Sequence, residues 1–97
     1  MSVNFLPTPG TAVQDLDTPA LVVDLDVAEA NIRKMQAFTD AHGTGLRPHS
    51  KTHKSPYWAH KQLDAGALGI TCSKVGEAEV LVDGGITELL IANEIVG

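Results

Sequence analysis

Arg47-Pro48-His49-Ser50-Lys51-Thr52-His53-Lys54 follows a helical segment and a short glycine turn, and it sets ionisable side chains where a buried strand should end. Four of the seven basic residues (Arg47, Lys51, Lys54, Lys61) lie between Gly43 and Leu63, with three of the four histidines (His49, His53, His60). That window holds no Asp or Glu, although the chain carries a net charge of −5. A cationic island in an acidic chain points to a small anionic ligand such as a phosphate or a carboxylate.

Outward from this segment the chain alternates strands and helices. On its N-terminal side, Ala20-Leu21-Val22-Val23-Asp24 is a short apolar run rich in β-branched residues, which predicts a strand. Asp26 with Glu29 three residues on predicts a capped helix start. Val27, Ala30, Ile32, Met35 and Phe38 give that helix an apolar stripe as far as His42, and Gly43 and Gly45 stop it. Residues 45–50 then form the second strand. On the C-terminal side, Ser55-Pro56 is a strong helix start, with Ser as cap and Pro in the first turn, and Gly66 ends the helix. Residues 68–72 predict a third strand. Ser73 is placed to cap a helix over 75–82 with Glu77 near its positive end, Gly84-Gly85 terminates it, and 88–92 form a last strand. Crossover helices between strands imply parallel pairing. Residues 1–18, rich in Pro, Thr and Asp, are an irregular lead-in, and 19–97 form an α/β domain. The order fits an open doubly wound sheet or about three βα units at the start of a TIM-type (β/α)8 barrel. A whole barrel needs about 250 residues, so the second option makes this chain a partial domain.

In a strand alternate residues share a face, so Arg47, His49, Lys51 and, if the strand persists that far, His53 would point one way and Leu46, Pro48 and Ser50 the other. Ligands of parallel barrels sit at the C-terminal strand ends, where Lys51 stands. An amine crowded by cations and withdrawn from water gives up its proton more readily, which makes a lysine a nucleophile for Schiff-base chemistry. Composition alone instead favours a solvated loop lysine. Against that stands the cost of stacking Arg47 and His49 on a buried face without a ligand. His49 and His53 lie on a strand and loop with no Cys or carboxylate close in sequence to complete a first shell, so they are a poor metal site. Cys72 reads as a small packing residue, Tyr57 and Trp58 as packing against the sheet, and His60 as a half-exposed helix residue. Asn93 and Glu94 sit at another strand end. The glycine pairs are helix terminators rather than phosphate loops.

The 97 residues are 43% hydrophobic and 20% charged, an ordinary globular composition. The basic residues form a pocket-sized cluster rather than a stripe, which argues against nucleic acid. No apolar run approaches the roughly 20 residues that span a bilayer, and MSVNFLPTPG lacks the basic start and apolar core of a secretory signal. A single cysteine forms no internal disulfide, consistent with a reducing, cytoplasmic setting.

Asp17-Thr18-Pro19-Ala20, Asn31-Ile32 and the whole of Arg47–Lys54 resemble the D-threonine aldolase and D-serine dehydratase group of alanine racemase-like, fold-type III pyridoxal phosphate enzymes. Val75-Gly76-Glu77-Ala78-Glu79 and Ile91-Ala92-Asn93-Glu94-Ile95-Val96 are similar to later segments of the same group. The octapeptide is the specific signal, and the other segments occur in the right order.

The resemblance implies the opening of a TIM-type barrel, alanine racemase N-terminal domain-like, that binds pyridoxal 5′-phosphate. It implies Lys51 as the Schiff-base lysine, with Lys54 a distant second; from their positions beside Lys51, His49, Arg47 and His53 would tune or surround the cofactor. It implies a lyase acting on D-configured β-hydroxy amino acids, by retro-aldol cleavage or by elimination of water. In that family a divalent metal (Mn, Mg or Zn) is held by residues of a second, β-rich domain, and the active protein is a homodimer. Neither the metal ligands nor that domain lies in these 97 residues. A non-catalytic pyridoxal phosphate protein and an inactive truncated remnant remain alternatives.

Overall fold

The computed structural model describes residues 6–97. The first five residues of the expected lead-in lie outside the described part. From Leu6 to Asp24 the chain has no helix or strand beyond a 3-10 turn at Val13–Asp15. Three helices and two strands follow: α1 (Leu25–Ala41), α2 (Pro56–Ala65), β1 (Ile70–Cys72), α3 (Val75–Asp83) and β2 (Leu89–Ile91). β1 and β2 pair in parallel, Ile70 with Leu89 and Cys72 with Ile91, and α3 makes the crossover.

The expected strand over 45–50 is reduced to one bridge, His49 with Thr71, also parallel. Around it Thr71 N–H donates to the Pro48 carbonyl and Ser50 N–H to the Thr71 carbonyl, both at 2.8 Å. Two residues upstream the next rung would need an N–H from residue 48. Pro48 has none, so the ladder stops there. Leu68 N–H reaches the Leu46 carbonyl instead, at 2.8 Å. The segment 46–50 is therefore a third parallel strand in position, interrupted by its proline.

The strand expected at Ala20–Asp24 does not form. Leu21 is 94% exposed, with Val22 and Val23 also exposed. A β-branched run becomes a strand only where another strand meets its N–H and C=O groups, and this run lies outside the ladder. The fold is thus α/β with a small parallel sheet.

The core is Ala59, Ile70, Cys72, Leu81 and Ile86, with Leu63, Ala78, Leu89 and Ile91 packed against it. Ile70 and Cys72 face the helices, so Thr71 between them faces away. On α2 the buried positions Ala59 and Leu63 are four apart, on one face. Tyr57, expected in the core, lies off that face and is exposed, edge-on to Trp58 at 5.1 Å between ring centres.

Helix α1 departs from expectation twice. Its cap is Asp24, whose Oδ1 accepts the Val27 N–H at 3.2 Å, not Asp26. This frees Glu29 to pair with Lys61 Nζ at 2.8 Å, which ties α1 to α2. Its buried residues are Gln36 and Thr39, while Val27, Met35 and Phe38 are exposed. The Thr39 hydroxyl donates to the Gln36 carbonyl at 2.9 Å and Gln36 Nε2 to Asp40 at 2.9 Å, which is how a polar face is buried here.

Candidate functional site

The parallel register decides which side chains share a face. His49 pairs with Thr71 and Thr71 with Leu90, so these three lie on the face away from the helices. Arg47, two residues before His49, lies over Gly69 on that face. A Cβ built at Gly69 would collide with Arg47 Nη1 and stand 2.8 Å from the Glu88 carbonyl oxygen. Gly69 is what lets a guanidinium cross the sheet there. Arg47 Nη1 is buried and has no hydrogen-bond partner among the described residues. Ser50 is fully buried, as alternation requires of the helix-facing set.

Lys51 follows directly, in the turn that ends the segment. It is exposed, as composition alone favours, rather than withdrawn from water on a buried face, because the chain leaves the sheet at Ser50. The Ser50 carbonyl accepts both His53 N–H (3.2 Å) and Lys54 N–H (2.6 Å), closing the turn. Lys54 takes a φ of 49°, in the left-handed region where non-glycine residues are uncommon. His49 Nδ1 accepts the Lys51 N–H at 3.1 Å. A ring nitrogen that accepts carries no proton, so in the neutral ring the proton is on Nε2.

His53 does not join Arg47 and His49 on the open face. Its Nδ1 accepts the Ser55 N–H at 2.9 Å and its Nε2 meets Gln62 Oε1 at 3.1 Å. In this structure the His53 ring contacts the start and middle of α2. His60 Nε2 meets the Gly84 carbonyl at 2.7 Å, joining α2 to the end of α3.

At the end of β1, Ser73 is not the direct cap of α3. Its hydroxyl and N–H reach the Glu77 carboxylate, at 3.0 and 3.4 Å. Burial pushes the Glu77 carboxyl up. The two Ser73 bonds and the nearby charges of Lys54 and His49 outweigh it, and the carboxyl ends below the usual range. Burial, with a smaller contribution from Glu77, raises the Cys72 thiol, so Cys72 is a packing residue as the sequence indicates. Among the described residues no three His, Cys, Asp or Glu side chains gather as a metal ligand set.

Two residues of this arrangement carry no motif in the sequence. Gly69 had a legible signal, since a lone glycine inside an apolar strand marks a close approach. Gln62, which receives His53, had none.

The C-terminal ends of three parallel segments therefore carry Lys51, Ser73 and Asn93-Glu94, beside a face bearing Arg47 and His49. The D-threonine aldolase of Arthrobacter sp. is 52% identical over 89 residues, 92% of this chain and 24% of the relative. The chain is a homologue of the D-threonine aldolase group. The 3-hydroxy-D-aspartate aldolase of Paracoccus denitrificans (strain Pd 1222) is 43% identical over 88 residues, 90% of this chain and 23% of the relative. The D-threo-3-hydroxyaspartate dehydratase of Delftia sp. (strain HT23) is 52% identical over 77 residues, 79% and 20% of the two chains. Among solved structures, D-threonine aldolase from Filomicrobium marinum superposes with a TM-score of 0.85 at 52% identity, covering 88% of this chain and 23% of that one. No family model matches the chain. The chain spans about a quarter of the length of the curated relatives it matches.

Proposed function

We propose that this chain is the cofactor-attaching part of a pyridoxal 5′-phosphate-dependent, metal-activated lyase for D-configured β-hydroxy amino acids, with Lys51 as the attachment point. The observation that carries the reading is the exposed Lys51 at the C-terminal end of a parallel segment, beside the face that bears Arg47 and His49. Relatives at 43–52% identity that are named as aldolases and as a dehydratase of such substrates support it.

The residues present suit the cofactor. Lys51 offers a primary amine in water. Arg47 offers a guanidinium with a buried, unpartnered Nη1 on the open face, in a cradle that a Cβ at Gly69 would fill. His49 can offer its Nε2–H, because its Nδ1 is engaged by the Lys51 N–H. When bound, the cofactor's ring serves as the sink for the electron pair released at the substrate's α-carbon. Around it the chain's own groups divide the work. Lys51 holds the cofactor and its Nζ can carry a proton to or from the reacting carbon. Arg47 and His49 bind and orient. His53 faces α2 and is assigned no contact with the cofactor. The metal would be held by ligands outside these residues, as the family resemblance implies.

The strand–helix order supports the opening of a (β/α)8 barrel; a homodimer as the working assembly and the cytoplasm as its setting are part of the same proposal and follow from the family resemblance alone. Aldol cleavage of a D-β-hydroxy amino acid yields glycine and an aldehyde, whereas loss of water leaves an enamine whose imine form takes up water again to release ammonia and an oxo acid. The Delftia relative keeps dehydration, the D-serine dehydratase type of reaction, as a second reading. The full-length protein, supplied with pyridoxal phosphate and Mn, should produce one of these pairs from D-threonine or a 3-hydroxy-D-aspartate and neither from the L-isomers. Turnover of the L-isomers alone, or neither product pair from any of them, overturns the reading.

A further inference from the structure

Lys51 sits on a strained support. The turn from Ser50 to Lys54 ends in a lysine at φ 49°, a left-handed conformation that is strained in a non-glycine residue and persists only where surroundings hold it. Thr52 and Lys54 are exposed, whereas His53 between them is half-buried. The His53 ring spans two anchors on one helix. Its Nδ1 accepts from the N–H of Ser55, the cap of α2, and its Nε2 meets Gln62 Oε1 in the same helix.

The first anchor has a local cause. In a capping box the third helical residue reaches back to the cap's own N–H. In α2 that residue is Trp58, which has no acceptor, and His53 supplies one from the other side of the cap. The second anchor fixes the tautomer. With Nδ1 accepting, a neutral ring carries its proton on Nε2, and the partner must be the amide oxygen of Gln62, as observed. Each group then meets its natural partner, and the turn is fastened to a helix whose Ala59 is part of the core.

We propose that His53 and Gln62 position Lys51, acting as a strut from helix α2 that holds the Lys51 turn in place. The proposal rests on the reading of Lys51 as the attachment point. His53 is a positioning residue rather than a catalytic one. A misplacement near 1 Å can cost about a hundredfold in an oriented reaction, so loss of one strut bond, worth about a factor of ten, is measurable.

The test compares His53→Ala, Gln62→Leu and His53→Asn with the wild type in the full-length protein. Two quantities are measured well below the melting temperature. The first is amide hydrogen exchange across residues 50–55 without cofactor. The second is the rate at which pyridoxal phosphate becomes fixed to Lys51 under borohydride. His53→Ala and Gln62→Leu should each speed exchange locally and slow fixation about tenfold. His53→Asn, whose side-chain oxygen can take the Nδ1 position, should recover protection of the Ser55 amide and part of the rate. Wild-type fixation rates in both first variants, or exchange that rises across the whole protein rather than over 50–55, overturn the strut. If the wild type fixes no cofactor on Lys51, the proposed function fails, while the exchange pattern still decides whether the strut exists.

Discussion

Lys54 shows what one residue can cost. Its φ of 49° is comfortable for glycine and strained for lysine. Lys54→Gly should therefore stabilise the protein by about 0.5–1 kcal/mol, seen as a higher urea midpoint with an unchanged slope. A lower midpoint would mean that the amine contributes more than the backbone loses. Cys72 gives a second prediction at this scale. Burial, then the Glu77 charge, raises its thiol above the ordinary 9.0, and its side chain is fully buried. Alkylation by iodoacetamide at neutral pH should be at least about a hundredfold slower in the native protein than in urea, since the thiolate is the reacting form. Comparable rates would show that the strand opens readily.

Elements are joined here by a few specific contacts. Glu29 and Lys61 link α1 to α2, and each shifts the other. The hydrogen bond from Lys61, then its charge, lowers the Glu29 carboxyl below 4.5. The bond to Glu29, then its charge, raises the Lys61 amine above 10.5. The Glu29 contribution is complete above pH 4.5 and is lost as pH falls through the lowered value. That of Lys61 is complete below pH 10.5 and is lost as pH rises through the raised value. The link should thus hold across neutral pH and fail at both extremes. Both groups are solvent-facing, so the stability at stake is small. In a Glu29→Gln variant the acid limb of a thermal-stability profile should flatten, and an unchanged limb would show that the pair contributes nothing. The junction of α2 with α3 is tighter. A Cβ at Gly84 would stand 2.6 Å from Pro56 Cγ and closer still to its Cβ, so Gly84→Ala should cost about 1–3 kcal/mol in urea unfolding. A loss below about 0.5 kcal/mol would mean that the helices slide apart freely.

The same scale shows why some elements were legible in the sequence and others were not. Ser55-Pro56 and Gly66 bound α2 by local chemistry, and the structure follows them to the residue. The run at Ala20–Asp24 has strand composition, yet pairing is decided by distant backbone and the run stays unpaired. The alternation of Arg47, His49 and Ser50 survives because it depends on strand geometry alone, while Pro48 broke a rung that no periodicity records. The stripe of α1 misleads because the Thr39 hydroxyl and Gln36 Nε2 find partners within the helix, so these two polar residues are buried even though Gln36 Oε1 has no partner among the described residues. His53 leaves the shared face for a related reason: the strand does not persist, and three residues past Ser50 the chain is a turn, where strand alternation no longer says where a side chain points.

Across the whole molecule, three parallel segments bring Lys51, Ser73 and Asn93 to one edge, as parallel α/β folds do with their functional groups. Among the described residues no helix is placed over the Arg47–His49–Leu90 face of the small sheet, which is the face a closed barrel would enclose. That Lys51 fixes the cofactor is the central claim. The most direct measurement is borohydride reduction of the full-length protein with pyridoxal phosphate, followed by peptide mapping. A pyridoxyl group on Lys51, absent in Lys51→Ala, is the predicted result. Modification of Lys54 instead, or of no lysine between Arg47 and Ser55, contradicts it.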